Sequence, residues 1–178
     1  NSQFCELTDL DGYCRDFSDQ HLLVELFSGA GGLSLGLEKA GFRNVLAVDK
    51  LQDSVETHAF HFPGASINCD ISDEKTLEEL LEPLRKHQIS LLAGGPPCQP
   101  FSKPLRWARK KGEMELGSMK DHRRELWQSF VHGVKLLKPL SVLLENVTDI
   151  ATNEDGIILR KIIESLENLG YSCDVQAF

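Results

Sequence analysis

The sequence predicts an α/β domain built on a largely parallel β-sheet with helices on both faces. Three observations predict this class. Short apolar runs typical of strands alternate along the chain with segments whose apolar residues recur at helical spacing. Turns rich in glycine or proline separate these segments. The length of 178 residues suits one domain with a single core. Strands that alternate with helices form parallel sheets, because a crossover helix joins each strand to the next.

The predicted strands are short and aliphatic, and each is bounded by residues that favour turns. In chain order they cover residues 22–27, 45–48, 66–69, 89–93, 141–144 and 171–178. The last of them is predicted from its alternation of apolar and polar residues. Parallel sheets bind ligands beyond the carboxyl ends of their strands, so we expect the functional residues to follow these runs.

Five helices are predicted between the strands. The first ends at Gly41, a residue type that favours helix C-termini, and the second covers 53–62. Ser72 is the predicted N-cap of the third helix. The fourth helix ends before Pro139 and the fifth before Gly170. The third, fourth and fifth carry apolar stripes at Leu77, Leu80, Leu81 and Leu84, at Leu126, Phe130, Val134 and Leu137, and at Ile158, Ile162, Leu166 and Leu169.

Composition excludes several classes of protein. The net charge is −8, from 27 acidic and 19 basic residues, so the whole chain is not a nucleic-acid-binding surface. No apolar run approaches the roughly 20 residues that span a bilayer. Five scattered cysteines without a CxxC pair indicate neither a zinc site nor a disulfide framework, and favour a reducing, intracellular setting. We predict a polar N-terminal extension, which is not a signal peptide, over 1–20 and one domain over 21–178.

A glycine-rich turn follows the first predicted strand. Its sequence, FSGAGGL, covers residues 27–33. Glycines let the backbone turn tightly and approach a ligand closely. Ser34 occupies the third glycine position of the dinucleotide-binding pattern GxGxxG, so that pattern is not met. A simple strand-to-helix turn is an equally good interpretation of this segment.

Two acidic residues stand at predicted strand ends. Asp49 follows the second strand, about 20 residues after the glycine turn, where a carboxylate can hold a ribose diol. The alternative is a helix N-cap in solvent. Asp70 follows the third strand, where it could accept a hydrogen bond from an adenine amino group. In isolation, a cap or turn role is the better interpretation of Asp70.

The segment GGPPCQPFS, residues 94–102, holds the candidate nucleophile. Its glycines and prolines place Cys98 on a rigid, non-helical loop at the end of the fourth predicted strand. A buried structural cysteine would more naturally lie within a strand or helix. A thiol on such a loop at the ligand-binding edge is a candidate nucleophile, and the alternative is an inert loop cysteine.

Glu145 ends the fifth predicted strand, within the segment LLENV. An acid at the end of an apolar strand is expected at a buried rim. Burial there would raise its pKa, so that it could donate or relay a proton. The alternative is a structural acid paired with a backbone amide, and the position alone does not decide between the two.

Together these segments resemble the cytosine-5 DNA methyltransferase family. The resemblance rests on FSGAGGLSLGLEKAG, AVDK, NCDI, GGPPCQPFS and LLENV, in that order, and covers roughly residues 22–178. It implies the Rossmann-like fold of class I S-adenosylmethionine-dependent methyltransferases, incomplete at its C-terminal end. The family's arginine-containing motif, target-recognition region, last antiparallel strand and C-terminal helix would all follow residue 178. We therefore predict one segment of a longer enzyme or one subunit of a split enzyme.

The resemblance also implies a set of residues for S-adenosylmethionine. Asp49 stands where the family more often has Glu, and Lys50 stands where a bulky apolar residue often packs on adenine. The implied cofactor-binding residues are Phe27, Ser28, Gly29, Gly31, Gly32, Leu33, Asp49, Lys50, Asp70, Ile71, Pro97 and Leu126.

The implied reaction transfers a methyl group to carbon 5 of a cytosine flipped out of duplex DNA. Cys98 would attack carbon 6 of the ring, and Glu145 would hold the ring nitrogen and exocyclic amine. A basic loop would close over DNA, with the alternative that it is a solvated charge run. Its implied contacts are Gln99, Ser102, Lys103, Arg106, Arg109, Lys110 and Lys111.

Two other functions stay open on the sequence alone. A branch of the family methylates tRNA with a nearly identical active site. A non-catalytic regulatory or binding module ranks lower, because both the Cys and the Glu of the motifs are present. The resemblance further suggests a link to restriction–modification, and a cytoplasmic location if the source is bacterial or a nuclear one if it is eukaryotic.

Overall fold

Five parallel strands form the sheet that the sequence predicts. The computed structural model describes residues 10–16, 20–62, 64–97, 126–152 and 156–177. The strands lie in the order β3-β2-β1-β4-β5, and every neighbouring pair is parallel. Their bounds are β1 His21–Leu26, β2 Phe42–Asp49, β3 Ala65–Asn68, β4 Leu91–Gly94 and β5 Ser141–Leu144.

Seven α-helices accompany the sheet in the described ranges. The five predicted helices are α2 Gly32–Lys39, α3 Gln52–His61, α4 Glu74–Leu81, α5 Leu126–Leu137 and α7 Ile157–Asn168. A 3-10 turn, Glu82–Leu84, continues α4 and contains the proline that an α-helix interior would not tolerate. Two short helices, α1 Leu10–Asp16 and α6 Asp149–Thr152, were not predicted. No described helix is long and apolar enough to cross a membrane.

The core lies on both faces of the sheet, as expected for a parallel arrangement. Leu22, Val24 and Leu26 of β1 belong to a large buried cluster that also includes apolar residues of α4, α5 and α7. Leu23 points to the opposite face and packs with residues of β4 and α2. Because successive side chains of a strand alternate between faces, one strand supplies both halves of the core. The α/β class predicted from the sequence is therefore confirmed.

The order of the strands positions the site. The chain runs outward from β1 to β2 and β3, and then returns to β4 beside β1 before continuing to β5. The crossovers therefore reverse direction between β1 and β4. In such sheets, ligands bind beyond the carboxyl ends of the strands at this reversal. The segments that follow the five strands meet at that edge.

Two local predictions are wrong. Residues 171–177 form no strand: the Tyr171 hydroxyl donates to the Pro139 carbonyl at 2.7 Å, and this segment lies against α7 without pairing with β5. The N-cap of α4 is Asp73, not Ser72, because the Asp73 carboxylate accepts from the Thr76 amide at 2.9 Å. The Ser72 amide donates instead to Asp70 at 3.1 Å.

Helix α1 brings part of the predicted N-terminal extension onto the domain. Leu10 and Cys14 are fully buried and belong to the large cluster. Both face a core assembled from β2 and the turn after α4, whose residues contact α1. The limits 1–20 and 21–178 stay a prediction.

Candidate active site

The glycine turn after β1 has a strained backbone. Phe27, Gly29 and Gly31 have φ angles of 60°, 54° and 98°, in the left-handed region that favours glycine. The Ser28 amide donates to the carbonyl of Val48 at 3.0 Å, which ties the turn to the end of β2. A left-handed non-glycine residue such as Phe27 costs about 1–3 kcal/mol, and such strain is typical of functional sites.

The two glycines of the turn serve different purposes. A Cβ placed on Gly29 would meet no atom within 4 Å, so this glycine borders open space at the strand edge. A Cβ on Gly31 would lie 2.3 Å from Cε2 of Phe62. Gly31 is therefore required for packing against Phe62, the residue that follows α3, whereas Gly29 leaves room for a ligand.

Asp49 links the glycine turn to the next crossover. Its Oδ2 accepts from the Gly29 amide at 2.8 Å, and its Oδ1 accepts from the Leu51 amide at 2.9 Å. A carboxylate has about four acceptor positions, so each oxygen can take a further hydrogen bond. The helix N-cap interpretation of Asp49 is wrong, because Leu51 is the N-cap of α3 and Asp49 precedes it by two residues.

Lys50 and Asp70 form an ion pair at the ends of β2 and β3. Nζ of Lys50 lies 2.5 Å from Oδ2 of Asp70. The hydrogen bond from Lys50, assisted by Ser72, holds the pKa of the Asp70 carboxyl below its ordinary value. Ile71, the next implied cofactor residue, is 3 % exposed and belongs to the large cluster, so its environment differs from that of Asp70.

Glu145 and the loop after β4 are in direct contact. The backbone amide of Glu145 donates to the Gly94 carbonyl at 3.0 Å. A Cβ on Gly95 would lie 3.1 Å from the Glu145 carboxylate Oε2. The Asn146 side chain donates to the Pro96 carbonyl at 2.9 Å. These contacts join the segment that ends β5 to the residues immediately before Cys98.

The expectation that Glu145 sits at a buried rim is wrong. The residue is exposed, because β5 is an edge strand whose own residues alternate between exposed and half-buried. Asn146, which the sequence analysis did not single out, is the residue that ties the two segments together. In the sequence, the signal for this role was the side-chain amide of Asn146 directly after the candidate acid Glu145.

The structure brings most of the predicted cofactor residues to one edge of the sheet. The buried Ser28 lies in the turn, while Gly32 and Leu33 begin α2. Pro97 is exposed after β4, and the half-buried Leu126 begins α5. The predicted nucleophile and the predicted DNA-binding loop lie outside the described residues, namely Cys98, Gln99, Ser102, Lys103, Arg106, Arg109, Lys110 and Lys111.

Curated relatives and a solved structure resemble this chain. It is 37% identical over 171 residues to the type II methyltransferase M.PspPI of Psychrobacter sp. (strain TA137), covering 96% of this chain and 36% of the relative. It is 33% identical over 159 residues to the type II methyltransferase M1.HphI of Haemophilus parahaemolyticus, covering 89% and 40%. The chain thus spans about two-fifths of the length of these relatives.

The structural comparison agrees with the sequence comparison. An E. coli prophage protein assigned as a DNA modification methyltransferase superposes with a TM-score of 0.64 at 31% identity, over 83% of this chain and 38% of that one. The fold is therefore that of S-adenosylmethionine-dependent methyltransferases. The sequence pattern of C-5 cytosine-specific DNA methylases matches residues 22–178. The chain belongs to the C-5 cytosine-specific DNA methylase family.

Proposed function

We propose that this chain is the cofactor-binding and catalytic portion of a DNA cytosine-5 methyltransferase. In this proposal S-adenosylmethionine supplies the methyl group, Cys98 is the nucleophile and Glu145 binds the target base. A role in restriction–modification belongs to the same proposal, because the relatives are type II methyltransferases.

One observation carries the proposal. The Glu145 carboxylate lies against Gly95, where a Cβ would come within 3.1 Å of Oε2, and the Asn146 amide binds the carbonyl of Pro96. These loop residues precede Cys98 by three and two positions. The two segments that carry the family's catalytic motifs therefore meet at one end of the sheet.

The residues at the carboxyl ends of β1, β2 and β3 suit the cofactor. Gly29 borders open space, and Asp49 beside it keeps acceptor capacity for a ribose hydroxyl. Asp70 is partly exposed and could accept from an adenine amino group at a position left free by Lys50. Phe27, Gly31, Ile71, Pro97 and Leu126 complete the proposed lining, in the places that the family resemblance assigns.

The proposed chemistry activates a carbon that is otherwise a poor nucleophile. Addition of the Cys98 thiolate to carbon 6 of cytosine makes carbon 5 enamine-like. Glu145 holds the ring nitrogen and exocyclic amine and offsets the charge of the adduct. After the methyl group has been transferred, a proton acceptor removes the proton from carbon 5, and the Cys98 thiolate leaves. The target cytosine must be flipped out of the duplex, and the basic residues between 103 and 111 are proposed to hold the DNA.

The open side of β5 is proposed to receive the C-terminal portion that the relatives carry. A groove of about 660 Å³ separates β5 from residues 170–176, with one face of α7 as its floor. Leu143 and Val175, which are 39% and 56% exposed, border it. Strands of one sheet lie about 4.8 Å apart, so a strand seated here would pair with β5 and cover both apolar side chains.

A methyl-transfer assay tests the catalytic proposal. The chain is combined with the C-terminal portion of a relative, and transfer of labelled methyl from S-adenosylmethionine to duplex DNA is measured. Cys98→Ser is expected to lower transfer about 10³-fold or more while cofactor binding is retained. Cys5→Ser is the matched control, because Cys5 belongs to the predicted N-terminal extension and to none of the family's motif segments. Full activity of Cys98→Ser would refute the assignment.

The acceptor is tested in the same preparation. Duplex DNA, tRNA and DNA carrying 5-fluorocytosine are offered in parallel. We expect transfer to duplex DNA and a covalent adduct with the fluorinated duplex. In 5-fluorocytosine, fluorine replaces the carbon 5 proton whose removal would release Cys98, so the adduct persists. Transfer to tRNA alone would replace the DNA proposal. Absence of both transfer and adduct would favour a non-catalytic binding module.

The proposed seat of the C-terminal portion has its own test. Leu143→Lys puts a charge on the open side of β5 and is expected to abolish co-purification of the two portions. Phe60→Lys is the control, because Phe60 is 85% exposed on α3, away from β5. Equal loss in both variants, or loss in neither, would contradict this seat.

A further inference from the structure

A chain of buried polar side chains crosses the sheet face beneath the glycine turn. Glu25 of β1, Ser34 of α2 and His58 of α3 are each at most 1% exposed. The Ser34 hydroxyl hydrogen-bonds Glu25, and Oγ of Ser34 lies 2.8 Å from Nε2 of His58. Nδ1 of His58 lies 2.7 Å from Oγ of Ser66 in β3. Four elements are therefore joined by one continuous path.

The direction of these bonds depends on the protonation states of Glu25 and His58. Ser34 has one hydroxyl proton, which it donates to Glu25 when that carboxyl is ionised. Burial lowers the pKa of His58 to about 4, so the ring is neutral at pH 7. Nε2 of the neutral ring then donates to Ser34, and Nδ1 accepts from Ser66. The Asn44 amide adds donors toward Glu25 and Ser34 at 3.4 and 3.3 Å.

The same histidine touches the glycine turn. A Cβ on Gly31 would lie 3.0 Å from Cδ2 of His58, and the His58 ring packs on Phe62 with centroids 4.5 Å apart. Ser34 lies in the first turn of α2, two residues after Gly32. A displacement of His58 would therefore reach the turn both by contact and through Ser34.

This path is not a second catalytic centre. A serine, a histidine and a carboxylate in sequence would otherwise suggest a hydrolase. Ser34 is fully buried and donates its proton to Glu25, so its oxygen cannot reach a substrate. Ser34 also occupies the third glycine position of the dinucleotide pattern, and its side chain binds β1 where a glycine would only pack closely.

We propose that Glu25, Ser34, His58 and Ser66 form a positioning relay that holds the glycine turn in its ligand-binding geometry. The relay rests on the proposed function, because the ligand of the turn is S-adenosylmethionine in that proposal. None of the four touches the reacting atoms. Their effect is on cofactor affinity, through the backbone of residues 29–33, and not on the chemical step.

Serine-to-alanine variants test the relay in the assembled enzyme used for the transfer assay. Ser34→Ala removes the link at the turn, and Ser66→Ala removes the far end while leaving the turn untouched. Loss of one hydrogen bond corresponds to about a fivefold effect, so we expect Ser34→Ala to raise the cofactor Kd and KM about fivefold or more. Ser66→Ala should act in the same direction, about two- to threefold, with kcat unchanged in both. Ser165→Ala is the control, because its hydroxyl only binds the Lys161 carbonyl within α7.

Nitrogen-15 spectra of His58 provide a readout that a merely structural role would not change. Wild type should show a neutral ring protonated at Nε2, and Ser66→Ala should populate the other tautomer. Unchanged cofactor affinity in both variants, with wild type binding normally, would overturn the relay alone. Should Ser34→Ala fail to fold, Ser66→Ala decides. A wild type that binds no cofactor, despite the expected tautomer, would refute the proposed function together with this inference.

Discussion

The buried pair Glu25 and His58 predicts opposite pH dependences of stability in two single variants. Burial raises the pKa of Glu25 from 4.5 to about 7, although its bond with Ser34 partly offsets the rise. Burial, assisted by the charge of His61, lowers the pKa of His58 from 6.5 to about 4. Each shift of this size corresponds to about 3 kcal/mol, at about 1.4 kcal/mol for each pH unit.

The two signs follow from proton counts. Between pH 4.5 and 7 the folded chain holds a proton on Glu25 that the unfolded chain has lost, so this stability disappears as the pH rises. Between pH 6.5 and 4 the unfolded chain protonates His58 while the folded chain does not, so stability disappears as the pH falls. In wild type the two slopes oppose each other between about pH 4.5 and 6.5.

Each variant removes one slope and leaves the other. Glu25→Gln keeps only the His58 slope, so its free energy of unfolding should rise by about 3 kcal/mol as the pH rises from 4 to 6.5. His58→Gln keeps only the Glu25 slope, so its free energy of unfolding should fall by about 3 kcal/mol as the pH rises from 4.5 to 7. Urea unfolding at steps of half a pH unit measures how the stability of both variants depends on pH. Glu56→Gln, at an exposed position, is the control and should follow wild type. Slopes of the same sign in the two variants would refute the assigned protonation states.

Further predictions concern glycines and one cap. Gly31→Ala should lower the free energy of unfolding by about 3 kcal/mol, from φ strain plus a clash with α3, whereas Gly41→Ala, with a similar φ of 97° but open space, should cost about 1 kcal/mol. Equal losses in denaturant melts would contradict the clash. Gly95→Ala should lower methyl transfer about 10- to 100-fold by displacing the nearby carboxylate, with Gly36→Ala in α2 fully active and about 0.5–1 kcal/mol more stable. Asp73→Ala should cost about 1 kcal/mol of stability, and no change in thermal unfolding would disprove the cap.

The fold could be predicted largely from periodicity. The five strands of the sheet and its main helices follow apolar patterns that depend on burial alone, and their bounds differ from the predicted ones by a few residues. The segment 171–177 also alternates, but alternation sets which side chains share a face and not whether the segment pairs with another strand. Here the bond from Tyr171 to Pro139 and the packing against α7 hold the segment across a groove from β5, so no ladder forms.

The site was only partly predictable. The placement of Asp49 and Glu145 at one edge could be predicted, because acids at the ends of parallel strands meet there. Burial could not be predicted in the same way, since Glu145 ends an edge strand while Glu25 lies inside a central one. The relay joins residues 24 positions apart through side-chain bonds, and no local pattern marks such a pair as Ser34 and His58.

Among the described residues, one side of β5 carries no paired strand, and this has a consequence for folding stability. Backbone amides and carbonyls on that side can accept a strand of suitable register, whichever polypeptide carries it. A strand that binds only the folded sheet would stabilise it by mass action, so the thermal stability of this domain would rise with the concentration of the segment seated in the groove.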